Sequence, residues 1–331
     1  MRRRTRYSLL LMLALMVALV VALVLRKAAP PEAARLLPES DAIVYANLKP
    51  VRAATHFDRT QITRSPDYQR FIDETGIVPE RDLDSAAFAL HRMNDPNGPN
   101  GPVGYSEVFE GRFDGERLAR YLASIATAKE NYSGHDIYTV AVGDGKVTRP
   151  LRIAQLGYDT IAASNMPTPE QIHSILDRHR AAASPFSGSS LLSARYRDVP
   201  AFSSVWAIGH IGLPFSDRGY ISIFGLQLPL PEDTTFIASL RYLGTLHLRI
   251  EQIAPTDADA AHATETLATL LTLVKSVQQT QGQMNASSDA GFREVLSSAK
   301  IEQHKDRAVL TANVPIELIK KLATPSPAGR P

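Results

Sequence analysis

The chain has 331 residues, of which 44% are hydrophobic and 21% charged, values typical of a folded protein and not of a disordered one. Its formal net charge is +2, but six basic residues flank the first apolar run, where no acid occurs. From residue 28 onward, 30 basic side chains face 34 acidic ones, a net charge of −4, which excludes an electrostatic footprint for nucleic acid. The absence of cysteine excludes disulfides, thiolate metal sites, cysteine nucleophiles and a lipidated N-terminal cysteine.

An apolar segment near the N-terminus predicts a membrane anchor. Residues 9–25 are all Leu, Met, Ala or Val, and as a helix this run spans about 26 Å of a hydrocarbon layer about 30 Å thick. Four arginines within residues 2–6 outnumber Arg26 and Lys27 behind the run, so the positive-inside rule predicts a cytoplasmic N-terminus. We therefore predict a single-pass protein of the bacterial inner membrane with a periplasmic body.

A cleaved signal peptide and a buried core helix are the alternatives to the anchor. Signal peptides have shorter apolar regions and end in a cleavage site of small residues. Cleavage after Ala29 would place Pro30 next, and cleavage after Ala34 would leave Glu32 where a small residue is needed. The sequence therefore favours retention of the segment.

The first half of the body predicts short strands with intervening helices. After a stiff tether containing Pro30 and Pro31, apolar runs and alternation predict strands at 42–48, 86–90, 104–113, 136–142, 151–156 and 160–164. Asp114 is placed to cap a helix at 116–126, and Thr168 to cap one that begins with Pro169. Turn formers predict an exposed loop at 94–104 and a hairpin turn at 143–145.

The second half repeats this design more loosely after a Ser/Ala/Gly-rich stretch at 181–193. Strands are predicted at 204–211, 220–228, 235–253 (two strands turned near 243–244), 300–304 and 308–314, and a final helix at 316–322. Thr256 and Asp259 have capping-box spacing at the start of a long helix over 257–279. The apolar face predicted for this helix comprises Leu267, Leu270, Leu271, Val274 and Val277.

Strand pairs that alternate with single helices predict an α+β fold, in which antiparallel sheets carry helices packed on one face. The similar succession of elements in the two halves leaves open whether they are two similar modules. The predicted organisation is a basic cytoplasmic tail at 1–7, a transmembrane anchor at 8–25, a tether at 26–36, a first module at 37–180, a boundary at 181–203, a second module at 204–323 and a disordered tail at 324–331.

Motifs for catalysis are sparse. The chain has no P-loop, no G-x-S-x-G and no H-E-x-x-H. Ser297 and Lys300 satisfy S-x-x-K, but the S-D-N and K-T-G motifs that accompany it in acyl-transfer enzymes are absent. An exposed junction without chemistry is therefore predicted at this position.

Metal-binding patterns are equally weak. Asp257, Asp259 and His262 have a spacing that a cation could use, but acids in a first helical turn also complement the helix dipole, which is the simpler interpretation. His173 and His179 are six residues apart on a helix and should not face each other, and His210 and His247 fall within strands. We predict ordinary turns or loops around Asp95, Asn97, Asn100, Asn131 and Asn285.

The segment 211–231 is unusually apolar and rich in proline. A buried hairpin is the favoured interpretation, and an exposed binding patch is the alternative.

The opening of the body, LLPESDAIVYANLKP at 36–50, resembles a group of bacterial membrane-anchored envelope proteins without an assigned activity. Residues 80–84, 106–114 and 132–140 extend the likeness. The resemblance implies an envelope location and carries no information about catalysis.

The sequence thus predicts a non-enzymatic extracytoplasmic binding or scaffold protein with a protein or lipid partner. The alternative is a periplasmic hydrolase whose catalytic set comes from distant segments. No catalytic, cofactor-binding or metal-ligating residues are assigned.

Overall fold

The computed structural model describes residues 12, 16, 29–59, 64–95, 101–143, 148–181, 187–210, 220–223, 226–229, 234–242, 244–284 and 290–318. The strands are β1 Ala42–Asn47, β2 Leu83–Arg92, β3 Val103–Gly111, β4 Ala126–Tyr132, β5 His135–Gly143, β6 Thr148–Gln155, β7 Thr160–Ser164, β8 Val205–His210, β9 Tyr220–Ile223, β10 Leu226–Pro229, β11 Thr235–Tyr242, β12 Leu246–Ile253, β13 Lys300–His304 and β14 Arg307–Val314. The helices are α1 Glu32–Leu36, α2 Leu48–Thr55, α3 Pro66–Thr75, α4 Pro79–Asp82, α5 Gly115–Ile125, α6 Glu170–Arg180, α7 Ser190–Arg195, α8 Asp257–Met284 and α9 Ala290–Ser298.

Twelve of these strands form one antiparallel sheet. Its order is β13-β14-β12-β11-β8-β1-β2-β3-β7-β6-β5-β4, and β9 and β10 pair separately. The two halves of the chain meet where β1 pairs with β8, so that Tyr45 lies opposite Trp206 and their rings stack at 5.5 Å. The fold is therefore a mixed α+β structure built on a large antiparallel sheet, as the sequence predicts in outline.

The order of strands is similar on the two sides of the β1–β8 pair. On each side three neighbouring strands of the sheet precede a helix, and a later strand then returns to pair with the third strand. In the second half β9 and β10 lie in sequence between the first two of these strands. In the first half β7 returns to β3, and in the second half β14 returns to β12. The hairpin β4–β5 extends the first half alone.

The sheet is covered by helices on both faces. On the face that we call the first face, α1, α6 and α7 pack against strand residues in a core that comprises Ala33, Ala34, Leu36, Leu37, Ile43, Tyr45, Ala87, Ala89, Val108, Ile137, Ala154, Leu156, Ala162, Ile172, Ile175, Leu176, Leu191, Leu192, Trp206 and Ile208. On the opposite, second face, α5 packs in a smaller core of Ile77, Leu118, Leu122, Tyr138 and Val140. Because Ile137 and Tyr138 are adjacent in β5, they point to opposite faces. The prediction that helices pack on one face is therefore wrong.

The segment before the first strand also differs from its prediction. Residues 32–36 form α1 instead of an extended tether, and the side chains of Ala33, Ala34 and Leu36 are buried in the first-face core. The backbone N–H of Ala33 donates to Glu110 Oε1 at 3.0 Å, which satisfies a free donor at the start of this helix. Pro30 and Pro31 explain why the sequence predicted a tether, because proline favours extended backbone but is also common at the first position of a helix.

Several local predictions are confirmed. Asp114 caps α5 by accepting from the Arg117 N–H at 3.1 Å, and Thr256 caps α8 by accepting from the Asp259 N–H at 3.1 Å. The hairpins β5–β6, β11–β12 and β13–β14 have the predicted partners. The predicted cap at Thr168 is wrong, because α6 begins after Pro169 without a side-chain cap.

None of the helices within the described residues is long and apolar enough to cross a membrane. The predicted anchor at 8–25 lies outside these residues apart from Met12 and Met16, and the predicted tail at 324–331 lies outside them entirely.

Candidate binding cavity

An apolar cavity of about 380 Å³ lies between the second face of the sheet and helices α3 and α5. This volume falls in the range of about 300 to 1,000 Å³ that pockets for small ligands occupy. It is lined by Phe71, Ile77, Pro79, Leu83, Glu107, Phe109, Phe113, Leu118, Tyr121, Leu122, Ile125, Val140, Val142, Leu151, Ile153, Ile161 and Ala163.

Helix α5 lies above the cavity, where its first turn is capped and one of its side chains is hydrogen-bonded to α3. Asp114 caps its first turn, and Arg117 donates to the backbone carbonyl groups of Glu74 (3.1 Å) and Asp73 (2.6 Å) at the end of α3. The ring of Tyr121 meets Phe71 of α3 edge-on at 5.7 Å. The two helices are thereby held together above the sheet, and their apolar side chains face it.

The floor of the cavity is formed by strand residues that are less completely covered than those behind them. Phe109, Ile153 and Ile161 are half-buried, whereas their neighbours on the first face, such as Val108 and Ala154, have no exposed surface. At one end of the cavity Ile125 is 39% exposed and Val142 is 36% exposed. An apolar cavity with an apolar rim thus opens toward solvent at the end of α5.

Glu107 is the only acid among the described residues that line the cavity. It lies in the middle of β3, opposite Phe88 of β2 and Ala163 of β7. Burial raises the pKa of the Glu107 carboxyl above its ordinary value, because the apolar surroundings destabilise the charged form. No hydrogen bond or ion pair joins its side chain to another described residue.

The Glu107 carboxyl could form hydrogen bonds to a ligand in the cavity. In its protonated form it donates one hydrogen bond and accepts others. A ligand with an apolar body and a hydroxyl, carbonyl or carboxyl group would therefore satisfy the cavity walls and Glu107 together. The combination of an apolar cavity with one polar group and a shifted pKa is the usual mark of a small-molecule site.

A histidine and two serines form a separate, buried series of hydrogen bonds on the first face. His91 Nε2 lies 2.9 Å from Ser106 Oγ, which lies 3.2 Å from Ser164 Oγ. The three residues are 6%, 0% and 1% exposed, so a substrate carbonyl cannot reach either hydroxyl. Burial also lowers the pKa of His91, which favours its neutral form. These hydrogen bonds satisfy buried polar groups between strands β2, β3 and β7.

The residues of the S-x-x-K pattern are on the surface. Ser297 is exposed at the end of α9, where its hydroxyl donates to the Glu294 carbonyl at 2.9 Å, and Lys300 is exposed at the start of β13. Neither side chain lines the cavity.

The acidic start of α8 has a capping role. Asp257 and His262 are exposed, and the carboxylate of Asp259 accepts from the Thr256 hydroxyl at 2.7 Å. Within the described ranges, no three His, Asp or Glu side chains gather in a way that could hold a metal ion.

The histidines of α6 have different partners, as their spacing predicts. The ring of His173 stacks on Tyr132 at 3.8 Å and bonds Glu130 Oε1 at 2.7 Å, whereas His179 meets the ring of His135 at 5.9 Å. Burial, together with His135, lowers the pKa of His179. The strand histidines bond nearby threonines, His210 to Thr235 at 3.4 Å and His247 to Thr245 at 3.0 Å.

Some predicted features fall outside the described residues. Asn97, Asn100 and Asn285 are among them, as is most of the segment 211–231. Within that segment the backbone of β9 pairs with β10, which is consistent with a hairpin.

Comparisons with known proteins give a likeness of fold and no family. No family model matches the chain, and no curated protein matches it. Crystal form III of TP0453 matches with a TM-score of 0.46 and 10% identity, over 89% of this chain and 98% of that chain. Crystal form I of TP0453 matches with a TM-score of 0.45 and 9% identity, over 88% and 95%. A likeness of this strength carries no argument, and the envelope family named above stays a prediction.

Proposed function

We propose that this chain is a membrane-anchored, extracytoplasmic binding protein that holds a small amphiphile in the cavity beneath α5. One observation carries the proposal: Glu107, the only acid among the described cavity residues, has a raised pKa and no described partner in an otherwise apolar cavity. The apolar body of the ligand contacts Phe109, Ile153 and Leu122, and its hydroxyl, carbonyl or carboxyl group bonds the Glu107 carboxyl. The cavity favours a neutral polar group over a cation, because desolvation favours the uncharged carboxyl.

A dye-displacement experiment tests this proposal. The purified body, residues 30–331, is titrated with the neutral apolar dye phenylnaphthylamine, and decanol or decane is then added as a competitor. We expect saturable dye binding and better displacement by decanol than by decane. Glu107→Leu should abolish that preference, a change of about 2- to 12-fold in decanol affinity for one lost hydrogen bond, while dye binding remains. Glu116→Leu, at an exposed position of α5, is the matched control, because it makes the same substitution outside the cavity.

A second variant tests occupation of the cavity itself. Ala163 is buried and lines the floor, so Ala163→Leu places three additional carbon atoms in the cavity. We expect this variant to unfold at the same denaturant concentration as the parent or higher, and to lose dye binding. Unchanged dye binding by a folded Ala163→Leu variant would overturn the cavity as the binding site.

We further propose that residues 8–25 anchor the body to the inner membrane from the periplasmic side. The burial of Ala33 and Ala34 supports an intact segment over cleavage after Ala34, which would remove both from the core. A reporter active only outside the cytoplasm should work when fused after Pro331 and fail when fused at Arg6. A mature N-terminus near Ala29, found by mass spectrometry, would show instead that a signal peptide is removed.

We also infer that residues 37–180 and 204–323 are two similar modules. The matching succession of three strands, a helix and a returning strand on both sides of the β1–β8 pair supports this. A superposition of the two halves that fails to align β1, β2, β3 and β7 with β8, β11, β12 and β14 would overturn it.

A further inference from the structure

A second, polar cleft of about 930 Å³ lies on the first face, in the second half of the sheet. The strands β11 and β12 form its floor, the turn between β13 and β14 forms one wall, and the 3-10 turn Tyr196–Asp198 forms the other. Among the described residues that line it, five Arg and Lys side chains face three carboxylates. This surplus of two positive charges stands in a body whose overall charge is −4 from residue 28 onward.

All three carboxylates of the cleft face a single arginine. Arg307 donates to Glu251 Oε2 at 2.8 Å and to Asp198 Oδ1 at 2.9 Å, and its Nε lies 3.6 Å from Asp306. Burial alone would lower the pKa of Arg307, but the bonds to Glu251 and Asp198 outweigh burial and raise it. Arg307 is thus paired with acidic side chains of the protein itself, and we treat it as a structural residue of the cleft wall and not as a ligand-binding one.

Glu251 also fixes a second arginine. Its side chain is only 4% exposed, and its Oε1 accepts from Arg249 Nε at 2.6 Å. Because Glu251 is shared between two arginines, it neutralises only part of their charge, and Arg249 lies at the floor of the cleft with its position set.

The remaining basic residues of the cleft have no acidic partner among the described residues. They are Arg197, Arg241 and Lys305. The Nε of Arg241 is buried and lacks a hydrogen-bond acceptor, and Oδ2 of Asp198, in the same cleft, is buried and lacks a donor. Buried donors without an acceptor are rare in native proteins and point to a bound water, ion or ligand.

We propose that this cleft binds a phosphoryl group through Arg241 and Arg197, with Arg249 held beside them by Glu251. The planar fork of an arginine matches the oxygens of a phosphoryl group, and several unpaired cations suit a dianion better than a single carboxylate. The phosphoryl group belongs either to a soluble phosphate compound or to a lipid headgroup. The cleft lies on the opposite face of the sheet from the apolar cavity, so this inference does not depend on the amphiphile.

Calorimetry of the full chain in a neutral detergent tests the proposal. One arm titrates inorganic pyrophosphate, and the other compares short-chain phosphatidylglycerol with short-chain phosphatidylcholine. We expect saturable binding in at least one arm, weakened by salt, because charge attraction between exposed groups is screened. The double variant Arg241→Gln, Arg197→Gln should bind at least about tenfold more weakly, the effect of losing roughly 1.4 kcal/mol.

The control removes the same number of positive charges elsewhere, through Arg70→Gln and Arg120→Gln at exposed positions in the first half. Pyrophosphate binding that only the cleft variant loses supports a soluble ligand. Phosphatidylglycerol binding that only the cleft variant loses supports a lipid headgroup. Absence of saturable binding in both arms, or equal loss in the cleft and control variants, would overturn the proposal.

Discussion

At the scale of single residues, Glu107 makes the free energy of unfolding of the body depend on pH. Its pKa is raised in the folded state, so below the ordinary value near 4.5 the carboxyl is protonated in both the folded and unfolded states. As the pH rises through the folded pKa, the unfolded chain releases its proton more readily, and the free energy of unfolding falls. Above the folded pKa, each unit of difference between the folded and unfolded pKa lowers the free energy of unfolding by about 1.4 kcal/mol.

We therefore expect Glu107→Gln to be more stable than the parent at neutral pH and to approach it in acid. Urea unfolding of both proteins between about pH 4 and pH 8 measures the difference, which should widen as the pH rises. Glu116→Gln, exposed on α5, should give a curve parallel to the parent. A parallel curve for Glu107→Gln as well would mean that the carboxyl is hydrated in the folded protein.

Residues with local partners were predictable from the sequence, and residues with distant partners were not. The caps at Asp114 and Thr256 depend on an N–H three residues away, so spacing alone reveals them. Glu107 shows in the sequence only as an acid between Tyr105 and Phe109 in an alternating strand. Its burial depends on α5, which follows in sequence, and on α3, which was not predicted, so no local signal marks it.

At the scale of elements, the helices differ in how completely the sheet covers them. Ile172, Ile175 and Leu176 of α6 are buried beneath the first face, whereas Leu267, Leu270, Leu271 and Val274 of α8 are only half-buried. The apolar pattern of α8 predicted its helical state and its inner face. The pattern could not show that α8 packs on β13 and β14, the two outermost strands on that side, which cover it incompletely.

This difference predicts unequal costs for the same substitution. Leu176→Ala should lower the free energy of unfolding by about 2 to 5 kcal/mol, since it leaves a cavity in a closed core. Leu271→Ala should lower it by less than about 2 kcal/mol, because part of the side chain already contacts water. Denaturant unfolding of the two variants measures both values. Equal losses would indicate that α8 is covered by something outside the described residues.

At the scale of the whole molecule, the pairing of β1 with β8 makes one sheet from both halves. The sequence predicted most of the strands and hairpin partners, because those contacts are between neighbours along the chain, but it did not predict β4. It could not predict the pairing of residues 42–46 with 205–209, which are more than 150 positions apart. A separation of 109 positions likewise hides the contact of Arg307 with Asp198 and therefore the polar cleft.

Helix α1 gives a final prediction about the limits of the folded body. Leu36 and Leu37 are buried in the first-face core, and burial of each leucine contributes about 1.5 to 3 kcal/mol. A fragment of residues 38–331 should therefore be about 3 to 6 kcal/mol less stable than one of residues 30–331, as measured by urea unfolding. Leu36→Ala within the longer fragment should reproduce part of the loss, because it opens a cavity without removing the helix. If both fragments unfolded at the same urea concentration, α1 would be a tether after all, and the core would close without it.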